Sequence, residues 1–115
     1  METYKDLIVW QKSINLIKEV YLLTSTFPNE EKFGLVSQMR RCSVSIASNI
    51  AEGYARKNKK ENAQFVNISF GSATELETQI IISKQLEFIT TNQCSKLDSL
   101  LDEVLRMLNW CRESL

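Results

Sequence analysis

Pro28 is the only proline of this chain, and Gly34, Gly53 and Gly71 are its only glycines, so long stretches hold nothing that interrupts a helix. No stretch alternates apolar and polar residues for long enough to make a half-buried strand, whereas apolar residues recur at spacings of three and four. The chain reads as all-α. At 115 residues one core suffices to remove roughly two thirds of the unfolded surface from water, so a single domain over 1–115 is expected, with no need of disulfides or metal.

Punctuation and period place four helices, at about 7–25, 35–52, 59–87 and 91–112. The first takes Asp6 as its N-cap and ends before Phe27-Pro28-Asn29. Leu7, Trp10, Ile14, Ile17 and Tyr21 form one apolar stripe along it, and Val9, Leu16, Val20 and Leu23 form a second beside the first. Together the stripes cover an arc of about 200°, about twice what packing on one side requires, which predicts cover from another chain or a very enclosed position. On the second helix Leu35, Met39, Cys42, Ile46 and Ile50 make the core stripe, and Gly53 stands where a left-handed C-terminal cap is wanted. Ser43, Ala47 and Ala51 recur every four residues and allow a neighbouring helix to approach closely, while Arg41, Ser45, Ser48 and Glu52 leave one face polar.

The third helix opens on Asn58 and Glu61 at capping-box spacing, and Phe65, Ile68, Leu76, Ile80 and Leu86 are its expected core, with Ser72 and Ser83 on or near the seam. Gly71, in its interior, costs about 1 kcal/mol relative to alanine and predicts a close helix crossing. The fourth helix opens on a second capping box, Thr90 and Gln93, and buries Leu97, Leu100, Leu101, Val104, Leu105, Leu108 and Cys111. Short connections between long helices favour antiparallel neighbours, so the expected architecture is an up-down-up-down four-helix bundle.

The absence of histidine removes much chemistry at once, because imidazole is the usual general base near neutral pH and the commonest metal ligand. Ser-His-Asp, Cys-His and zinc His-Cys sites cannot be built, nor the Glu-x-x-His pairs of di-iron bundles. Cys42, Cys94 and Cys111 are an odd count at wide spacing without a C-x-x-C pair, and read as buried reduced thiols. Glu75 and Glu77 stand two apart on a helix and point away from each other, so they make no acid-base pair. No glycine-rich phosphate loop, dinucleotide fingerprint or cofactor lysine motif is present. A non-catalytic protein without cofactor or metal is expected. Without a secretory signal or an apolar run long enough for a membrane span, the expected location is the cytoplasm.

Charge is distributed unevenly. The 14 basic and 14 acidic residues cancel overall, yet residues 1–60 hold ten cations against six carboxylates and residues 61–115 hold four against eight. The first half thus carries +4 and the second −4. Four cations in five residues, Arg56, Lys57, Lys59 and Lys60, fall at the junction of the second and third helices, where the amides of a helix N-terminus also point. Tyr54 adds a stacking surface. This is a phosphate-binding arrangement, or else a lysine-rich solvated turn; Arg40 and Arg41 on the same hairpin would extend the patch. Asn49, Glu52 and Glu75 lie on or near helix faces that should pack, and read as structural residues bonding Arg41 or a neighbouring helix end. Trp10 and Trp110 read as core or interface anchors.

Four blocks carry a family resemblance: Asp6-Leu-Ile-Val-Trp-Gln-Lys12, Phe33-Gly-Leu-Val-Ser-Gln-Met-Arg-Arg41, Ser45-Ile-Ala-Ser-Asn-Ile-Ala-Glu-Gly53 and Gly71-Ser-Ala-Thr-Glu-Leu-Glu77. Over nearly its whole length the chain resembles the four-helix-bundle proteins encoded within intervening sequences of bacterial 23S rRNA genes, often labelled ribosomal proteins. It departs from them at Ala47, where the family usually has proline, and at Phe70, where it usually has a basic residue. The resemblance implies an antiparallel four-helix bundle that assembles as a homopentamer. It extends to the accessory protein of diversity-generating retroelements, which works with a reverse transcriptase and nucleic acid. By that analogy Arg40, Arg41, Arg56, Lys57, Lys59 and Lys60 are the RNA or DNA contacts, while Asn49, Glu52, Gly53, Gly71 and Glu75 hold structural positions of the family motif. The competing expectation is a scaffold that binds another protein through the polar face of the second helix or the acidic second half.

Overall fold

The computed structural model describes residues 3–114 and contains four α-helices: α1 (Ile8–Thr24), α2 (Leu35–Ala55), α3 (Lys59–Gln85) and α4 (Ser95–Ser114). Two short 3-10 turns, Tyr4–Asp6 and Asn29–Glu31, precede α1 and α2. Helices α1 and α3 each pack against both α2 and α4, the ring of contacts of an up-down-up-down four-helix bundle. The bundle measures 43 × 25 × 23 Å.

Its interior is built from Leu16 and Val20 of α1, Met39 and Ile46 of α2, Leu76 and Ile80 of α3, and Leu97, Val104 and Leu108 of α4, all buried. On α1 the second of the two apolar stripes faces this core, while Ile14 and Tyr21 of the first remain exposed and Trp10 is half-buried against Tyr4. The wide apolar arc is therefore only partly covered by the chain itself. Asp6 does not cap α1. It closes the preceding 3-10 turn by accepting from the Thr3 amide at 3.2 Å, and Leu7 precedes α1 with no side-chain cap.

Helix α2 passes through Ala47 without a break and runs past Gly53 to Ala55. Gly53 is thus not a C-terminal cap, and among the described residues no glycine has a positive φ. Its role is close packing: a Cβ there would lie 2.9 Å from the Phe65 Cβ of α3. Gly71 reverses the expectation in the other sense. It is exposed, with nothing within 4 Å of a built Cβ, so no helix crossing requires it.

The α3 seam keeps Leu76, Ile80 and Ser83 as expected and departs from the expected one elsewhere. Ser69, Ala73, Leu76, Ile80 and Ser83 are buried, whereas Ile68 and Leu86 are exposed. Small side chains face α2 because the two helices approach closely there, and the serines satisfy their hydroxyls on backbone carbonyls, Ser69 across to α2 and Ser83 within α3. Ser69 Oγ donates to the Ile46 carbonyl at 3.0 Å and Ser83 Oγ to the Gln79 carbonyl at 2.8 Å. Helix α3 stops at Gln85, two residues early, in a Schellman turn. The Phe88 amide bonds the Ser83 carbonyl and the Glu87 amide bonds that of Lys84, both at 3.0 Å, with Glu87 at φ 64°.

The Thr90 and Gln93 box forms as expected, each side chain accepting from the other's backbone amide, at 3.2 and 2.8 Å, although regular α4 begins later, at Ser95. The three cysteines are free, with Cys42 and Cys94 buried and Cys111 half-buried.

Candidate nucleic-acid interface

The α2–α3 hairpin is closed by its own polar groups. Asn62 Nδ2 donates to the Gly53 carbonyl at 2.7 Å, the Arg56 amide bonds the same carbonyl at 3.1 Å, and Asn58 Oδ1 accepts from the Glu61 amide at 3.0 Å. Asn58 therefore satisfies one of the donors that open α3. The amides of Lys59 and Lys60 precede it in the same first turn, pointing outward with the positive end of the helix dipole.

The cations of this junction divide into two kinds. Arg56 is tied into the chain, with its guanidinium 3.1 Å from Glu52 Oε2 and 4.8 Å above the Phe65 ring. Lys57, Lys59 and Lys60 are exposed and have no ion pair among the described residues. They form a cluster of exposed ammonium donors on long stems at the tip.

Elsewhere several charges are matched, among them carboxylates of α4. Lys12 pairs with Glu103, Lys96 with Glu19 at 3.5 Å, and Lys84 with Asp98 at 2.8 Å. Lys12 of the basic first half thus neutralises Glu103 of the acidic second half, whereas Lys96 and Glu19 pair in the opposite sense across α4 and α1. Carboxylates of α4 that would oppose a polyanion are thus partly neutralised by the body of the protein, while the tip lysines are not.

The structure does not bring all six basic positions together. Arg41 lies fifteen residues before Arg56 on one helix, a rise of about 22 Å. Arg41 is exposed. Arg40 is half-buried between α1 and α2, donating from Nε to Thr24 Oγ1 at 3.0 Å and from Nη2 to the Tyr21 carbonyl at 3.3 Å, with its guanidinium 4.4 Å above the Tyr21 ring. Arg40 thus holds two helices together, and neither arginine extends the tip patch.

The polar motif residues are occupied within the hairpin, though not as the sequence suggested. Asn49 donates to the Ser45 carbonyl and hydroxyl at 2.8 and 3.0 Å, and Ser45 Oγ meets Ser72 Oγ of α3 at 2.9 Å. Glu52 takes Arg56 in place of Arg41, because the i, i+4 position lies one turn along its own face. Glu75 is exposed beside Cys42 and makes no ion pair with Arg41. Burial, then the nearby Glu75 carboxylate, push the Cys42 thiol up to about 12, so it is a neutral donor, 3.4 Å from the Ser72 carbonyl. Phe70, the position at which the chain departs from the family pattern, lies 4.0 Å beneath the Arg112 guanidinium, so a cation from α4 covers it.

Two grooves were not visible in the sequence. One, of about 630 Å³, runs between the start of α1 and the end of α4 past Leu7, Ile8, Met107 and Trp110, and leaves Trp110 69% exposed. Trp110 is therefore no core anchor of the isolated chain. The other lies between α1 and the start of α2, at Tyr21, Lys32, Phe33, Arg40 and Arg41. Among the described residues no group of three or more Cys, Asp or Glu side chains is placed to hold a metal ion, and no helix is long and apolar enough to cross a membrane.

A family model described as 23S rRNA-intervening sequence protein matches residues 5–110. In fold the chain is similar to the crystal structure of a protein with unknown function from the S23 ribosomal protein family of Bacteroides thetaiotaomicron. The TM-score is 0.84 at 24% sequence identity, over 92% of this chain and 96% of that one. No curated protein sequence matches significantly.

Proposed function

The chain belongs to the 23S rRNA-intervening sequence protein family, and from that premise we propose that it is a non-catalytic, self-associating nucleic-acid-binding protein, an accessory factor to a ribonucleoprotein in the cytoplasm. The observation that carries this reading is the hairpin tip, where Lys57, Lys59 and Lys60 are exposed without a carboxylate partner among the described residues, ahead of the α3 amides. Side chains of this kind meet phosphates as point charges and supply sequence-independent affinity. The family description, with its reference to 23S rRNA, makes RNA the first ligand to test.

A net charge of zero and a pI near 6.3 give a single chain no long-range attraction for a polyanion. Self-association answers this by gathering several tips. Its support is the apolar side chains that α1 leaves in water, Ile8 at 58%, Ile14 at 41% and Leu22 at 57% exposure. A homopentamer, as the resemblance implies, would carry five tips. A mass near 13 kDa in light scattering at micromolar concentration would rule the assembly out.

The binding test is filter retention of a 23S rRNA fragment at low salt. Charge reversal at Arg56, Lys57, Lys59 and Lys60 together should reduce retention by more than tenfold; unchanged retention would refute the site. A second reading, a scaffold for another protein, is favoured by the Trp110 groove at the bundle end. Failure of the unaltered protein to retain any nucleic acid would support it.

A further inference from the structure

The groove between α1 and the start of α2, about 580 Å³, is lined by three cations, Lys32, Arg40 and Arg41, and by no carboxylate. The acidic residue closest along the chain, Glu31, is turned to α2, where its Oε1 accepts from the Leu35 amide at 3.2 Å. Lys32 and Arg41 have no ion pair among the described residues. Arg40 is fixed by its two bonds to α1, which use two of the five donors of a guanidinium. At the mouth, Phe33 is 89% exposed, more than any other large apolar side chain among the described residues, with the Lys32 ammonium 5.6 Å from its ring. A phenyl ring left in water contributes almost nothing to the stability of the chain. Beside three cations it makes a stacking platform with phosphate donors around it.

We infer that this groove binds single-stranded nucleic acid, with one base stacked on Phe33 and the flanking phosphates on Lys32 and Arg41. The inference rests on the nucleic-acid reading above and adds a second contact, with a preference that the tip lacks. Stacking on an aromatic side chain strengthens binding on the order of tenfold to a hundredfold per base, and needs a base that is not already stacked in a duplex. Lysines at the tip meet phosphates of either form. The exposed face of α2 from Arg41 past Ser48 and Glu52, whose carboxylate is paired with Arg56, runs about 22 Å to the tip, so one strand lying along α2 reaches both contacts.

The test measures fluorescence anisotropy of a labelled oligothymidylate and of a duplex of equal length, both at low salt. Phe33→Ala should weaken oligothymidylate binding on the order of tenfold and leave duplex binding unchanged. Phe33 is so exposed that this variant keeps its fold. An oligonucleotide carrying 5-iodouracil, irradiated on the unaltered protein, should crosslink within residues 32–41. Equal effects of Phe33→Ala on both ligands, or crosslinks only outside that segment, would overturn the inference. The tip reading is judged separately. If charge reversal at the tip abolishes duplex binding while Phe33→Ala changes nothing, the tip stands and the groove fails. If tip reversal leaves both ligands bound and the crosslink falls at Phe33, the groove stands and the tip fails. A groove covered by a second copy would show as a lower mass for Phe33→Ala in light scattering with no crosslink at Phe33, which also overturns the inference.

Discussion

Replacing Gly53 and Gly71 by alanine, one at a time, should shift stability in opposite directions, although both glycines lie inside helices. Alanine is favoured over glycine by about 1 kcal/mol in a helix interior. Nothing lies within 4 Å of a Cβ at Gly71, so that gain is realised there in full. With an unfolding entropy of about 2.1 cal/mol/K per residue, the chain should gain about 4 °C in Tm. At Gly53 the new Cβ would stand 2.9 Å from the Phe65 Cβ and 3.5 Å from the Asn62 carbonyl oxygen. Both atoms are held by the α3 backbone, so relief requires α2 and α3 to separate where Asn62 bonds the Gly53 carbonyl. Overpacking of this kind costs about 1–3 kcal/mol and outweighs the gain in propensity, leaving a net loss of about 1 kcal/mol and a Tm lower by several degrees. Thermal melts by circular dichroism, at dilute and concentrated protein, read both shifts. A stabilised Gly53→Ala would refute the close α2–α3 approach. A destabilised Gly71→Ala would show that another copy packs on that face.

Glu87→Gly should stabilise by about 1 kcal/mol, read as a raised denaturant midpoint, because the C-terminal turn of α3 holds a non-glycine residue at φ 64°. Arg40→Ala should cost about 1–2 kcal/mol through loss of its bond to Thr24 and its contact with the Tyr21 ring, whereas Arg41→Ala should change stability by less than about 0.5 kcal/mol. Burial raises the Cys42 thiol from 9.0 to about 12. The unfolded chain then releases a proton that the folded chain keeps, so this contribution to stability is full below pH 9 and falls as pH rises from about 9 to 12. Urea titrations across that range should show the decline in the unaltered protein and a weaker one in Cys42→Ala.

Much of the fold was legible because helix punctuation is local chemistry. Asn58 with Glu61 and Thr90 with Gln93 act as caps as their spacing predicts, and the scarcity of breakers leaves room for nothing but long helices. The α3 seam was misjudged for a tertiary reason. Ile68 and its neighbour Ser69 compete for the seam, and hydrophobicity selects the isoleucine, whereas Ser69 is the one buried. The close approach of α2, permitted by Gly53 and relieved by Ser69 bonding the Ile46 carbonyl, selects the small residues. Gly53 was misread on the same ground, since a glycine near a helix end has two uses and only the partner helix distinguishes them.

The candidate site was legible as a cluster and illegible as a surface. Spacing revealed Arg56, Lys57, Lys59 and Lys60, but not that Glu52 and Phe65 hold the arginine while the lysines stay unpaired. The adjacency of Arg40 and Arg41 suggested an extension of the tip patch, yet Arg40 is bonded to α1 and both arginines line the groove beside Phe33, with Arg41 about 22 Å along α2 from Arg56. Phe33 looked like any other apolar residue. Its exposure depends on the turn that carries the chain from Pro28 into α2, which no periodicity describes.

The central claim, that tip lysines bind phosphate, is tested most directly by the salt dependence of RNA binding. The logarithm of the association constant should fall linearly with the logarithm of salt concentration, with a slope set by the number of phosphates neutralised. Lys57→Ala, Lys59→Ala and Lys60→Ala combined should make that slope shallower by roughly 2 to 3 for each tip engaged, since each contact contributes about 0.7–0.9. An unchanged slope in the triple variant would contradict the account.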